Sequence, residues 1–456
     1  MKSDTNTSVV QKLLSLHREW ESSWEGYQRD ETLSVNDDLV AHVSEEFAER
    51  MKENYPFFHP RYAGQMLKPP HPLASAAYFM AMQINPNNHA LDGGPATVKM
   101  EMEVVADIAH MFGLKTHLGH LTSSGTFANL EALWISRSLH PTKAIAFSTS
   151  AHYTHRRMCE VIGAKSVEIP VDDSGKMDCN ALEQILKTGN VGTVVATVGT
   201  TSLGAVDPLQ EIIPLCQKHK VRVHADAAYG GFFTLLAKQT APSIEPVPFL
   251  HLFECDSIVV DPHKHGLQPY GCGCVVFADS SVGKFYKHDS PYTYFTSGDL
   301  HLGEISLECS RPGAAAAALW FTLKCIPLKS ESGLGAILTK TRQAALELSK
   351  RLASSKRFTE FVKPELDIVT YFPNCDPPTA SFISKASEKI FSEAMQHPSH
   401  PLYLALLHVD AKQLHRLHKG INPDRDTATI LRSVLMKPEH LAFVPTMMKE
   451  LEELSM

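Results

Sequence analysis

The chain has 456 residues, more than one domain usually holds, which predicts a large domain with a smaller one beside it. Its apolar content of 43% and charged content of 20% are ordinary for a globular protein. A formal net charge of −7 gives no reason to expect nucleic acid or an anionic membrane as a partner.

Targeting and redox signals are those of a cytoplasmic protein. Residues 1–11 are polar and lack the apolar core of a secretion signal, and the longest uncharged apolar run, residues 313–323, is too short to span a bilayer. The nine cysteines are scattered without a CxxC spacing, which is typical of reduced thiols. We therefore expect a cytoplasmic enzyme.

Residues 1–60 are predicted to form a helical arm. Its apolar side chains recur on one stripe that a short arm cannot bury by itself. The stripe favours an arm that crosses to a second subunit, although a helix packed on its own domain would explain it too. We expect a homodimer. The residues of the stripe are Val10, Leu13, Leu14, Trp20 and Trp24.

The next stretch, residues 61–320, is predicted to be the large domain. Residues 98–112 have the periodicity of an amphipathic helix, with Glu101, Glu103 and Asp107 expected on its exposed side. Short apolar runs then alternate with helical segments, a pattern that indicates a parallel sheet covered on both faces. The predicted strands are residues 144–148, 194–198, 221–225, 258–260 and 273–278.

The pattern changes after residue 320, and residues 321–456 are predicted to be a smaller α+β domain. A long helix is expected over residues 336–352 and a closing helix from residue 438. Strands are expected over residues 368–371 and 402–409.

Three groups with complementary chemistry are predicted at one edge of the sheet. Lys264 follows an apolar strand, where a partly desolvated amine can attack an aldehyde, although a single lysine there is more often a solvated loop residue. Asp226 ends another strand, and residues 123–129 form a small polar turn that opens a helix and can bind an anion. Pyridoxal phosphate offers an aldehyde, a pyridine nitrogen and a phosphate to match them.

Motifs for other chemistries are absent from the sequence. No GxGxxG follows a strand, no GxSxG occurs, and the P-loop spacing at residues 298–303 is followed by Glu304 instead of lysine. The histidine pairs His117/His120 and His152/His155 have no third ligand nearby and no HExxH occurs, so we predict no metal site.

Five short motifs, in this order and spacing, carry a resemblance to a known family. The chain resembles the group II pyridoxal phosphate-dependent amino acid decarboxylases, which include aromatic amino acid, glutamate and histidine decarboxylases, from about residue 59 to the end. The resemblance implies the α/β fold of fold-type I enzymes, with a mainly parallel seven-stranded sheet, a smaller α+β C-terminal domain and an N-terminal helical arm. The motifs are residues 122–126, 151–154, 199–201, 224–231 and 261–264.

The resemblance also implies a role for each site residue. Lys264 would bond to the cofactor aldehyde, Asp226 would pair with the pyridine nitrogen, and His152 would stack on the ring and help to protonate the substrate carbon. The remaining contacts would be those to the phosphate, from Ser124, Gly125, Thr126 and His263, and those to the ring, from Thr201 and Ala228.

A loop tyrosine that reaches the substrate α-carbon is a further family feature, and Tyr292 and Tyr294 are both candidates. The chain departs from the family pattern at His265, where an aromatic residue is frequent, and at Ser124, which replaces a glycine of the phosphate turn. Both departures leave the cofactor site intact and the substrate open.

The predicted reaction is decarboxylation of an L-amino acid to an amine. A Cα–Cβ lyase or an aminotransferase on the same fold is the alternative, the latter with Arg311 or Arg432 as carboxylate clamp, and a non-catalytic relative is disfavoured by the retained site residues. The predicted substrate pocket favours an aromatic side chain over an acidic or imidazole one. It consists of His59, Tyr62, Asn88, His89 and Tyr292.

Overall fold

Seven strands form the larger of two sheets in the computed structural model of the chain, which describes residues 5–286 and 306–455. The strand order is β1-β7-β6-β5-β4-β2-β3, in which β7 runs antiparallel to both of its neighbours and every other pair is parallel. The strands are β1 (Leu118–Thr122), β2 (Ala144–Ser148), β3 (Ser166–Ile169), β4 (Val191–Thr197), β5 (Arg222–Asp226), β6 (Ser257–Val260) and β7 (Gly273–Phe277).

Helices cover this sheet, and two further helices form the N-terminal segment that precedes it. Up to residue 286 they are α1 (Thr5–Ser22), α2 (Asp37–Met51), α3 (Pro72–Ile84), α4 (Thr97–Phe112), α5 (Gly125–Leu139), α6 (Thr154–Val161), α7 (Cys179–Lys187), α8 (Leu209–His219), α9 (Thr234–Ala237) and α10 (Val247–Leu250). After the gap, α11 (Gly313–Cys325) packs back onto α3 and α4. No helix within the described ranges is long and apolar enough to cross a membrane.

Alternation along β6 shows how the sheet is buried on both faces. Ile258 and Val260 belong to the core cluster that α4, α7 and α8 cover, whereas Val259 joins the cluster beneath α5. Successive side chains of a strand point to opposite faces, so two helix layers are required to bury such a run. The predicted parallel sheet with helices on both sides is therefore present.

A second sheet of four antiparallel strands lies in the C-terminal region, in the order β10-β11-β9-β8. Its strands are β8 (Phe358–Val362), β9 (Ile368–Pro373), β10 (Ala405–Asp410) and β11 (Thr427–Val434), and its helices are α12 (Gly333–Ser354), α13 (Ala380–Met395), α14 (Ala411–Leu417) and α15 (His440–Leu454). The predicted α+β pattern is present, although β8, β11, α13 and α14 were not predicted. The domain boundaries at residues 60 and 320 stay predictions.

The expectation that Glu101 lies on the exposed side of α4 is wrong. Glu101 is buried, and its carboxylate accepts hydrogen bonds from Arg311 Nη1 at 2.6 Å and from the backbone N–H of Leu121 at 2.9 Å. The guanidinium also donates to the Leu121 carbonyl oxygen at 2.7 Å. This buried ion pair joins α4, the end of β1 and the segment before α11.

Replacing Arg311 with methionine is expected to lower the apparent free energy of unfolding by about 3 to 5 kcal/mol, because the Glu101 carboxylate would stay buried without its partner. Urea unfolding of the cofactor-free protein measures this. The control is Lys324→Met, which removes the partner of Glu103 on the same helix, where both side chains are about half exposed. An equal shift in both variants would contradict the assignment of Glu101 and Arg311 as a structural pair.

Candidate active site

One cleft brings together all nine residues predicted to bind the cofactor. It encloses about 660 Å³ including its open mouth, and it lies where β4, β5 and β6 end, beside the start of α5. The residues predicted from the sequence that line it are Lys264, Asp226, His152, Ser124, Gly125, Thr126, Thr201, Ala228 and His263. Tyr292 and Tyr294 lie outside the described residues.

The phosphate turn of the sequence is the N-terminus of α5. Ser124 is the N-cap, with its hydroxyl oxygen accepting the backbone N–H of Phe127 at 3.3 Å. Gly125 lies against a carboxylate, because a Cβ added there would come within 2.5 Å of both carboxylate oxygens of Asp261. Small residues and backbone N–H groups at a helix start form a cup suited to an anion.

Lys264 follows β6 in the turn that begins with Asp261. Its Nζ lies 3.0 Å from Asp261 Oδ2, and its side chain is 22% exposed, so the amine is partly desolvated but reaches the cleft. Asp261 is buried, and its Oδ1 has no hydrogen-bond partner among the described residues. Asp261 had no predicted role of its own, although it belongs to the predicted motif at residues 261–264.

Asp226, the last residue of β5, is paired with a histidine that the sequence analysis considered only as a metal ligand. His155 Nε2 lies 2.8 Å from Asp226 Oδ2, and both side chains are buried. Burial by itself would raise the pKa of Asp226, but the hydrogen bond from His155 and the nearby positive charges outweigh it and hold this pKa well below its usual range. The carboxylate in the cleft is therefore ionised.

His152 lines the cleft and lies two residues before the start of α6. Its Nδ1 accepts the backbone N–H of Thr154 at 3.3 Å, so the proton of the neutral ring is on Nε2. Burial lowers the pKa of His152 below its usual value. The ring is thus a neutral, half-buried imidazole.

His263, the residue before Lys264, uses one ring nitrogen in a hydrogen bond within the protein. Its Nδ1 donates to the Cys272 carbonyl oxygen at 2.8 Å, and its Nε2 lies 3.6 Å from Asp261 Oδ2. Burial lowers the pKa of His263. The neutral ring would therefore present an acceptor at Nε2, and donation to a phosphate from that nitrogen requires a second proton.

His265, the departure from the family pattern, does not line the cleft. It is fully buried, with its ring against Tyr229 and Phe233 and its Nε2 3.3 Å from Asp367 Oδ2. Burial keeps the pKa of His265 well below its usual value. This histidine therefore packs behind the lysine loop.

Four of the predicted substrate-pocket residues, His59, Tyr62, Asn88 and His89, do not line the cleft, and Tyr292 lies outside the described residues. Asn88 is buried and donates to the Glu101 carboxylate, and Tyr62 is buried with its ring against Phe57 and Tyr403.

No group of three or more metal-ligating side chains is found in the part of the chain that the structure describes.

The family assignment comes from comparison with known proteins. The conserved domain of pyridoxal-dependent decarboxylases matches residues 28–372, which is more than half of the chain. The chain belongs to the pyridoxal-dependent decarboxylase family. The predicted family, cofactor and enzyme class are confirmed, and this decarboxylase acts on an amino acid with pyridoxal phosphate as its cofactor.

Similar proteins include the probable L-tyrosine/L-aspartate decarboxylase of Methanothermobacter thermautotrophicus, 29% identical over 317 residues that cover 68% of this chain and 82% of the relative. The L-aspartate decarboxylase of Thermococcus kodakarensis is 30% identical over 284 residues, which cover 62% and 72%. The crystal structure of Oryza sativa TDC with PLP and tryptamine has a TM-score of 0.78 at 18% identity and covers 100% of this chain and 99% of that one. This likeness confirms the predicted fold.

The residues present in the decarboxylase cleft fit the cofactor. A helix start lined by Ser124 and Gly125 suits the phosphate, the ionised carboxylate of Asp226 suits a protonated ring nitrogen, and the amine of Lys264 suits the aldehyde. Each of the three polar groups of pyridoxal phosphate therefore has a protein group of complementary chemistry in this cleft.

Proposed function

We propose that the protein converts an L-amino acid with an aromatic side chain into the corresponding amine and carbon dioxide, as a cytoplasmic homodimer. The observation that carries the reaction is the meeting of Lys264, Asp226 and the start of α5 in one cleft of a chain from this family. The aromatic preference is supported by a relative whose name includes L-tyrosine.

In this proposal the chain's own groups hold the cofactor at its three polar ends. The backbone N–H groups of Ser124, Gly125 and Thr126 bind the phosphate, Asp226 faces the pyridine nitrogen, and Lys264 bonds to the aldehyde. When bound, the cofactor supplies an aldehyde that takes the substrate amine and a ring that accepts the electrons left as carbon dioxide departs. Thr201 and Ala228, which both line the cleft, would contact the ring.

Proton transfer is assigned in this proposal to residues that line the cleft and to a loop tyrosine. His152, neutral and with its proton on Nε2, stacks on the ring and can pass a proton to the substrate carbon that loses its carboxylate. Asp261 holds the Lys264 amine at the cleft by an ion pair while this amine is not bonded to the cofactor. A tyrosine from residues 292 or 294 is the second proton donor in this proposal.

One of the two arginines predicted as the carboxylate clamp of an aminotransferase is not available. The guanidinium of Arg311 is buried against Glu101 and cannot clamp a substrate carboxylate. Arg432 differs, since it donates to the carbonyl oxygens of Thr201 and Ser202 and forms no ion pair within the described ranges. This buried cation beside a cleft residue favours an acidic amino acid as the second candidate substrate, in keeping with relatives named for L-aspartate.

The homodimer is supported by α2, which has no buried residue in the single chain. One face of this helix is apolar and about half exposed, and it spans the consecutive turns of the helix. Its residues are Leu39, Val40, Val43, Phe47 and Met51.

The cytoplasmic location is supported by the nine cysteines, all of which are free thiols.

Borohydride reduction followed by peptide mass spectrometry is expected to show the cofactor on the peptide that contains Lys264, because reduction traps the bond between the amine and the aldehyde. Lys264→Ala is expected to lose the adduct. The matched control, Lys412→Ala on exposed α14, is expected to keep it. An adduct on another lysine in the unmodified protein would overturn the anchor.

Release of carbon dioxide and amine from tyrosine, phenylalanine, tryptophan, aspartate and glutamate tests the function. We expect kcat/KM for one aromatic substrate to exceed that for the acidic ones by roughly tenfold or more, the scale that a few pocket contacts supply. Preference for an acidic substrate that is lost in Arg432→Met would establish the second candidate instead. Failure to release carbon dioxide from any amino acid would contradict the proposal as a whole.

Light scattering is expected to give twice the mass of one chain, and Phe47→Glu is expected to shift the equilibrium toward the single chain, because a charge would be buried in the contact. Glu45→Lys, on the opposite side of α2, is the control and should leave the dimer intact. If the Phe47→Glu variant remains a dimer, α2 is not part of the interface.

A further inference from the structure

We propose that His155 is a positioning residue that keeps Asp226 ionised, so that the proton shared between this carboxylate and the cofactor's pyridine nitrogen rests on the nitrogen. The inference rests on the proposed function, in which Asp226 faces that nitrogen. It assigns a role in the reaction to a histidine that does not line the cleft.

The geometry limits what the imidazole can do. His155 lies in the first turn of α6, is fully buried, and has its Nε2 2.8 Å from Asp226 Oδ2. An ionised carboxylate only accepts hydrogen bonds, so Nε2 carries the proton and donates. Nδ1 has no hydrogen-bond partner among the described residues, which leaves Asp226 as the partner of the ring. The ring packs against Phe147, which fixes its direction.

The Asp226 carboxylate accepts hydrogen bonds from the protein on one side and faces the cleft on the other. Its Oδ1 accepts the backbone N–H of Ala228 at 3.2 Å, and its Oδ2 accepts His155 Nε2. The carboxylate lines the cleft, so the same group is available to a ligand. A donor behind a carboxylate makes its oxygens poorer proton acceptors toward whatever lies in front of it.

Burial and hydrogen bonding act on this carboxylate in opposite directions. Burial favours the neutral acid and raises the pKa of Asp226, whereas His155, first by its hydrogen bond, lowers it and prevails together with nearby positive charge. Without the donor, the buried carboxylate becomes the stronger base, and a proton shared with a pyridine nitrogen moves onto the oxygen. The ring would then lose the positive charge that makes it an electron acceptor.

The other titratable groups around the pair do not replace this contact. His224 on β5 lies beside His155, but burial lowers its pKa to about 3 and its nitrogens are hydrogen-bonded to Asn129 and Ser257. Lys264 also lines the cleft, but its described ion pair is with Asp261. His152 is neutral because burial lowers its pKa.

The matched variants are His155→Gln and His155→Met, which have similar unbranched side chains but differ in whether they can donate a hydrogen bond. Each variant and the unmodified protein are loaded with pyridoxal phosphate labelled at the ring nitrogen, and the nitrogen NMR shift is followed with pH. The shift distinguishes a protonated from a neutral nitrogen without relying on activity. His155→Phe is a second donor-free variant, with a ring that can pack on Phe147.

The unmodified protein and His155→Gln are expected to hold a protonated nitrogen. In the donor-free variants the proton should move from the nitrogen toward the carboxylate, with the sharing equilibrium shifted by roughly ten- to a hundredfold, the scale set by one hydrogen bond to a charged group. The cofactor dissociation constant should rise in the donor-free variants alone. Protonated nitrogen in every variant would overturn the role of His155, whereas a neutral nitrogen in the unmodified protein would overturn the orientation in the proposed function itself.

Discussion

The parallel pairing of β4, β5 and β6 is the constraint on which the site depends. Because these three strands run in the same direction, their carboxyl ends reach one edge of the sheet, with Asp226 at the end of β5 and the Lys264 turn after β6. Neighbouring strands in a sheet lie roughly 5 Å apart, so residues far apart in sequence become neighbours across a cleft. The start of α5 completes the cleft from the side of β1, which reaches this edge through the antiparallel β7.

Buried charges are held at this edge in pairs that match the roles proposed for them. Asp226 is ionised beneath its histidine donor, while Asp261 keeps the Lys264 amine close to the cleft. A third pair, Glu101 with Arg311, carries no proposed chemistry and joins segments of the scaffold. Because each of these carboxylates has a partner, the desolvation cost of burying it is offset.

Sequence patterns predicted the site better than they predicted the scaffold. The apolar runs of β5 and β6 predicted Asp226 and Lys264 at one edge, because ligands in open α/β sheets bind at strand ends, whereas His152 and His263 were identified by the family resemblance. β1 was missed because glycine and histidine interrupt its apolar pattern, and β3 because it is a short edge strand with alternating exposure. The burial of Glu101 and the partner of Asp226 could not be predicted, since Arg311 and His155 lie 210 and 71 residues away from them.

A crystal structure of the protein loaded with pyridoxal phosphate tests the account most directly. It should show the phosphate on the backbone N–H groups at the start of α5, the pyridine nitrogen beside Asp226, and Lys264 turned from Asp261 to a covalent bond with the aldehyde carbon. A cofactor whose phosphate lies away from α5, or whose nitrogen faces a group other than Asp226, would contradict the assignment of this edge of the sheet as the active site.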